Sequence, residues 1–409
     1  MDPVKVLYFH QHFSTPSGAA GTRSYEMARR LVARGHQVLM VCGSAGRAHT
    51  GLTGPFTRGV RRGMVDGLHV LELRLPYSNR FGLLRRSWIF LRFALRSVVV
   101  ALTEPCDLVF ATTTPLTTAL PGIAARWLRG RPFVFEVRDL WPELPRAMGV
   151  IRNPLILWVL KVLEWVSYRS AQRLVGLSPG IVDGIAARGV DRARVALVPN
   201  GCDLAIFGAP AAPWRPGGVA AGDLMAVFAG AHGIANGLDA VLDAAAALRD
   251  RGRTDIKVVL VGEGMLKPRL VSRAEREGLT NVVFVDPVPK GRLAALLAAA
   301  HLGLQILDDV PAFYRGTSPN KFFDYLAAGR PVLINYPGWL AEVVLAHGCG
   351  YAVPPRDRQA FADALVHAAD HREALPGMGA RALRLARGQF DRAALAERFV
   401  DWLEGAVKR

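Results

Sequence analysis

The chain has 409 residues, 51% hydrophobic and 21% charged, which is the composition of a soluble globular protein and sets aside a disordered chain. That length exceeds one ordinary core and predicts two domains. The formal charge of +17 is lopsided: residues 1–200 hold 27 Lys and Arg against 12 Asp and Glu, residues 201–409 hold 24 against 22. An anionic partner is therefore expected for the first half, with nucleic acid, lipid headgroups and a lipid-linked pyrophosphate all open.

Residues 4–9 read as a strand, with no charged-then-apolar signal pattern before them. A Gly-containing loop follows at 14–21, then an amphipathic helix at 22–34 and a strand at 38–41. Residues 77–101 are basic and aromatic without an acid. Residues 107–111 and 133–137 are buried strands, each leading into a helical pattern. The uncharged stretch 108–125 holds five Thr, two Pro and a Gly, and fits strand–loop–helix better than a membrane span. After Pro199-Asn200-Gly201 the alternation restarts, with strands at 224–228, 257–261, 282–285, 302–306 and 332–334. An amphipathic helix at 391–407 ends the pattern. Such βα alternation predicts an α/β protein with two doubly wound parallel sheets facing a cleft, and ligands outside the carboxyl ends of the strands. Cys42, Cys106, Cys202 and Cys349 are scattered without metal-ligand spacing, so free thiols in a reducing, cytoplasmic setting are expected.

Several stretches carry candidate chemistry. In 77–101, Arg80, Arg85, Arg86, Arg92 and Arg96 interleave with Trp88 and other apolar residues. The pattern suits a helix lying on an anionic bilayer, and equally a core helix with a solvated arginine edge. Gly18 and Gly21 lie between a strand and a helix start, where backbone can approach an anion. Glu136-Val137-Arg138-Asp139-Leu140-Trp141-Pro142-Glu143 packs three acids and an arginine at a strand end, as an ion pair or as a cleft floor. His232 and Asn236 follow the first strand of the second half. Gly262-Glu263-Gly264 and Asp286 end the next two, where main chain can lie near a ligand.

The densest signal is Ser318-Pro319-Asn320-Lys321-Phe322-Phe323-Asp324. It reads as a helix start with Ser318 at the N-cap and Pro319 at N1, closed by Gly329 and Pro331. Lys321 then falls at N3, where the helix dipole favours an acid. A cation beside free N–H groups makes an anion site, and Asn320, Lys321 and Asp324 share one face by spacing. A nucleoside diphosphate has that distribution of charge and hydroxyls. This stretch, with the Arg138-Asp139-Leu140-Trp141-Pro142-Glu143 run, resembles family 4 retaining glycosyltransferases of the GT-B fold, most closely the WbuB-type N-acetyl-L-fucosaminyl transferase branch of bacterial surface polysaccharide synthesis.

The resemblance implies residues 1–198 as the N-terminal, acceptor- and membrane-facing domain, 199–387 as the nucleotide-sugar domain, and 388–409 as a helix crossing back. It implies Lys321, Arg138 and Asp139 as catalytic residues. Gly18, Gly21, His232, Asn236, Gly262, Glu263, Gly264, Asp286, Ser318, Pro319, Asn320, Lys321 and Asp324 would bind the donor, Asp324 holding the ribose. Gly316 stands where the wider family has its first glutamate. Arg80, Arg85, Arg86, Trp88, Arg92 and Arg96 would face acceptor and membrane. The expected reaction moves an N-acetylated deoxyhexosamine from UDP to a polyprenyl-diphosphate-linked sugar, without metal or other cofactor, on the inner face of the plasma membrane. A GDP or other nucleotide donor with a soluble acceptor, a sugar-nucleotide epimerase on the same fold, an inactive paralogue and a non-enzymatic polyanion binder are the rivals. Against the last, no module that reads nucleic acid stands out, and no nucleic-acid partner is expected.

Overall fold

The computed structural model describes residues 2–18, 21–45, 49–78 and 81–407. The chain forms two compact units. The first runs to Pro199 and takes back Gly316–Ser318 and the chain from Ala393 onward; the second holds Asn200–Arg315 and Pro319–Arg392.

Fourteen strands are found among the described residues. In the first unit they are β1 (Lys5–Phe9), β2 (Gln37–Ala45), β3 (Val60–Val65), β4 (Leu68–Tyr77), β5 (Leu108–Thr112), β6 (Phe133–Val137), β7 (Arg173–Gly176) and β8 (Val195–Leu197). They lie in the order β3-β4-β2-β1-β5-β6-β7-β8, parallel except for the β3–β4 pair. The second unit has β9 (Leu224–Ala229), β10 (Ile256–Val261), β11 (Val282–Val285), β12 (Leu302–Gln305), β13 (Val332–Ile334) and β14 (Gly350–Ala352). Their order is β11-β10-β9-β12-β13-β14, parallel throughout. Each sheet reverses its winding once, beside β1 in the first and beside β9 in the second, and a crevice opens at such a point.

Period-two alternation builds the two faces of the first sheet. Leu7 and Phe9 point to one core, with Phe93, Phe133 and Tyr168 from the covering helices and a neighbouring strand. Val6 and Tyr8 point to the other, with Leu31, Phe399 and Leu403. The last two come from the helix Arg392–Val407, so this helix belongs to the first sheet. Phe399 meets Phe110 edge-on at 5.0 Å, and Arg34 binds Glu397, Asp401 and Glu404. The four cysteines are buried and free.

Two readings of the sequence change. The β3–β4 hairpin was not expected; its turn is Asp66-Gly67, both at positive φ (49° and 83°), the conformation that Asp-Gly supplies to a tight hairpin. Tyr77 therefore ends a strand, and the helix expected over 77–101 spans Leu83–Thr103.

Glu136 is completely buried at the end of β6 and pairs with Arg23, 113 positions away, at 2.7 Å. Thr112 adds a hydroxyl at 2.7 Å, and Arg23 also donates to the carbonyls of Val198 and Pro199. Burial alone would raise the carboxyl, but the guanidinium and the hydroxyl hold it below its ordinary value. Arg23→Met would leave this charge unpaired and is expected to destabilise the first unit by about 3–5 kcal/mol in urea unfolding. Because the stranded carboxyl would then prefer its proton, the loss should be largest at neutral pH and shrink toward pH 4.

Candidate active site

In the second unit β9 and β12 pair through Leu302↔Ala226 and Gly303↔Val227, and then separate. Tyr325 closes the gap that this leaves. Its hydroxyl accepts from Ala229 N at 2.9 Å and donates to Leu304 O at 3.3 Å, groups that a longer ladder would have satisfied. A Cβ at Gly303 would collide with the Tyr325 ring, so that glycine makes the bridge possible. Tyr325 lies on the helix Asn320–Ala327. The bridge therefore fixes that helix to the switch point.

One turn earlier on the same helix, Lys321 reaches into the crevice. Its Nζ donates to Asn236 Oδ1 at 2.8 Å and sits 4.0 Å from the centre of the Phe228 ring. Among the described residues no carboxylate pairs with it, and burial lowers its pKa to about 7. Asn236 is held in turn through Nδ2 to Ala231 O at 2.7 Å. A Cβ at Gly230 would stand 2.9 Å from Lys321 Cε, so the ammonium lies against bare main chain.

The loops after β9 and β10 are fastened together beside it. Gly230 N donates to Val261 O at 2.9 Å, His232 N to Glu263 O at 3.0 Å and Leu266 N to His232 O at 3.0 Å. Gly262, at φ +146°, and Gly264 leave no room for a Cβ against this backbone. The His232 ring is buried, both its nitrogens lack partners, and burial lowers its pKa to about 4. It is a neutral group at pH 7 and brings no charge to an anion. Lys267 binds Gly262 O at 3.0 Å and Asp286 at 2.5 Å, so Asp286 is committed to an ion pair.

The helix start differs from expectation. Pro319 at ψ 132° is extended and takes the N-cap, the helix begins at Asn320, and Lys321 falls at N2. Ser318 therefore stands outside the helix instead of capping it. Gly329 does take the left-handed position, at φ +61°. Asn320 and Asp324 are half-buried. Asp324 does not share the surroundings of Lys321: the charges near it are Arg392, Lys290 and Asp203, and burial lifts its pKa to about 7. Lys290 opens the helix that follows Asp286, so Asp324 looks toward that loop and Lys321 toward β9.

The first unit has its own crevice residues at the ends of β1 and β6. Arg138 N donates to Thr113 Oγ1 at 2.8 Å, and its guanidinium meets His10 Nε2 at 3.2 Å. It has no carboxylate partner among the described residues; Glu136, two positions before it, belongs to Arg23. Asp139 is raised by burial, opposed by the Arg138 charge. The His12 ring lies 4.8 Å from that of Tyr77, tilted by 56°. His10 and His12 are both pushed down, chiefly by burial. Gly18 is required by packing, since a Cβ would strike Ser14 Oγ and stand 2.9 Å from His49 N. Gly21 lies two residues before the helix Arg23–Ala33.

On the helix Leu83–Thr103, Arg85 stacks on Phe81 at 3.7 Å, Arg86 on Tyr77 at 5.7 Å, and Arg96 donates to Gly59 O at 3.1 Å. Trp88 and Arg92 are exposed, and Arg80 lies outside the described residues. Tyr325, Phe228, Gly230, Lys267 and His10 were not singled out from sequence. A glycine closing β9 and a lysine four residues beyond Glu263 were the available signals. Among the described residues no group of His, Cys, Asp and Glu could hold a metal ion, and no helix is long and apolar enough to cross a membrane.

A family model for a glycosyl transferase 4-like domain matches residues 18–201, and one for glycosyl transferases group 1 matches residues 224–371. Both units thus match glycosyl transferase models, and the two-sheet fold is the GT-B fold. It is similar to a D-inositol 3-phosphate glycosyltransferase of Nocardia farcinica, 32% identical over 229 residues that cover 54% of this chain and 49% of that one. The match thus spans about half of that relative. The fold is similar to sucrose-phosphate synthase from Thermosynechococcus elongatus, with TM-score 0.73, 18% identity and 98% of both chains covered. It is likewise similar to HepE of Anabaena in complex with UDP, with TM-score 0.68, 16% identity, and 98% and 100% covered.

A lysine in this crevice, with no carboxylate partner among the described residues, destabilises the ligand-free protein while it is charged. The folded pKa of Lys321 lies below the unfolded value, so this penalty is full below pH 7 and fades toward pH 10. Lys321→Met is expected to raise the melting temperature, more at pH 6 than at pH 9, while removing stabilisation by a nucleoside diphosphate. Tyr325→Phe should cost about 1–3 kcal/mol in chemical unfolding, because it strands the amide of Ala229 and the carbonyl of Leu304.

Proposed function

We propose that the protein moves a sugar from a UDP-linked donor to an acceptor hydroxyl, with retention at the anomeric carbon. The observation that carries this reading is Lys321, held in the first turn of a helix at the switch point, with no acid among the described residues to neutralise it. As the glycosidic bond breaks, negative charge grows on the leaving diphosphate. Lys321 and the N-terminal end of its helix stabilise that charge more than they stabilise the ground state, which is what accelerates transfer. Main chain at Gly230, Gly262 and Gly264 lies close to the nucleotide, and Asp324, once ionised, holds the ribose hydroxyls. In this reading Lys321 does the work of charge neutralisation and the reaction needs no metal.

The donor sugar is an N-acetylated deoxyhexosamine and the acceptor a polyprenyl-diphosphate-linked sugar at the inner face of the plasma membrane, in assembly of an O-antigen or capsule. Support for these finer points comes from the Arg138–Glu143 and Ser318–Asp324 runs and from the acid-free, basic helix Leu83–Thr103. Arg138, whose guanidinium has His10 as its partner, serves the acceptor side.

Thermal denaturation with UDP, GDP, ADP and dTDP tests the reading. UDP at about 100 times its dissociation constant is expected to stabilise the protein by about 2.7 kcal/mol, with little effect of the others. A shift with GDP alone would replace the nucleotide. No shift with any of them would overturn the donor site.

A further inference from the structure

The helix Pro154–Ser170 is apolar on both sides. Leu160, Leu163 and Tyr168 pack on the core beside the buried Glu164, Ser167 and Ser170, while Leu155, Ile156, Trp158, Val159, Val162 and Trp165 are 41–66% exposed. A helix on a water-facing surface carries polar residues on that outer face. Glu164 is held on the inner side by Arg188 Nε at 3.2 Å.

The apolar surface continues over two neighbours. Trp127, 69% exposed on the helix Leu120–Arg129, donates Nε1 to Ser170 Oγ at 2.8 Å. Arg129 binds the carbonyls of Ala101 and Glu104 at 2.7 Å, which fastens that helix to the end of Leu83–Thr103. There the core takes Ile89, Phe93, Ala94, Ser97 and Ala101. A second apolar stripe, Leu84, Trp88, Leu91, Leu95 and Val99, remains exposed. Four of the eight tryptophans are thus exposed on three adjacent helices. The same helices carry eight Lys and Arg and a single acid, the buried Glu164. At the end of Pro154–Ser170, Trp165, Tyr168, Arg169, Arg188 and Arg194 line a hollow of about 290 Å³. Arg188 is bound to Glu143 and Glu164, but Arg169 lies over the Trp165 ring at 5.1 Å without a carboxylate partner among the described residues.

We propose that these three helices form a bilayer-docking face, with Pro154–Ser170 lowered to the acyl boundary and the arginine hollow receiving the phosphate of an anionic headgroup. Charge decides the occupant. Apolar surface framed by arginine matches a layer that is apolar beneath and anionic at its rim, and interfacial tryptophan suits the boundary. A protein partner would have to bury the apolar patch and also supply acids all around it. The face rests on the reading above only for which membrane it meets, and it extends the contact well beyond the helix Leu83–Thr103.

The test is flotation of the full chain with phosphatidylcholine vesicles, with and without about one third phosphatidylglycerol. The wild-type protein should float with the anionic vesicles. The double variant Trp158→Ser/Trp165→Ser should bind at least about tenfold more weakly. Arg169→Gln should lose preference for phosphatidylglycerol over phosphatidylcholine while keeping residual apolar binding. Both should show the wild-type UDP-induced thermal shift, which reports an intact fold and donor site. Wild-type flotation of the double variant would overturn the proposal and leave the donor reading standing. A wild-type protein that ignores vesicles and forms a dimer broken by the tryptophan changes would also overturn it, assigning the face to a second copy. Failure of the UDP shift in the wild type would instead sink the donor reading and leave this face intact.

Discussion

Lys321 places its amine in a crevice that gives it an amide, a ring face and bare main chain, but no carboxylate among the described residues. The surrounding architecture follows from that constraint. Gly230 must be small, Asn236 must be fixed by Ala231, and the helix must be anchored, which Tyr325 does from one turn further on. An ion pair here would be more stable and less useful. A neutralised lysine attracts an incoming diphosphate weakly, whereas a desolvated and unpaired one gains its partner when the donor arrives. The site is thus built at the expense of the empty protein, as functional sites are.

The contrast with the first unit is instructive. There the strand-end acid Glu136 is paired, hydrogen-bonded and wholly enclosed, and Arg23 uses its remaining donors to fasten the chain at Val198 and Pro199. Arg138, two residues on, is left with a histidine. One arginine is structural and the other is available, although in sequence the acid lies only two residues from the second and 113 from the first.

This division marks how far the sequence can be read. The alternating strands and helices, the sheet restart near Pro199 and the oddity of Lys321 are local signals, and they were legible because each breaks or obeys a rule within a few residues. The Asp66-Gly67 hairpin is also local, but its flanking strand β3 is half-exposed and lacks an apolar run. What could not be read is pairing at a distance: Arg23 with Glu136, Tyr325 with Ala229, Lys321 with Asn236. The seat of Pro154–Ser170 on the sheet, another long-range matter, turns Trp158 and Trp165 outward. Helix spacing at Ser318–Asp324 placed Lys321 and Asp324 on one face, but the side chains take different neighbours once β9 and Lys290 are packed against that helix.

Proton uptake on donor binding tests the central claim most directly. Titration calorimetry of UDP at pH 8, in buffers that differ in ionisation enthalpy, counts protons taken up per site. Free Lys321, at about 7, is mostly neutral there, and a bound diphosphate raises it, so the wild-type protein should take up close to one proton. The carboxyl of Asp324, also near 7, is already ionised at pH 8 and should add little. UDP binding with no dependence on buffer would contradict the account, because the diphosphate would then be held without the charge of Lys321.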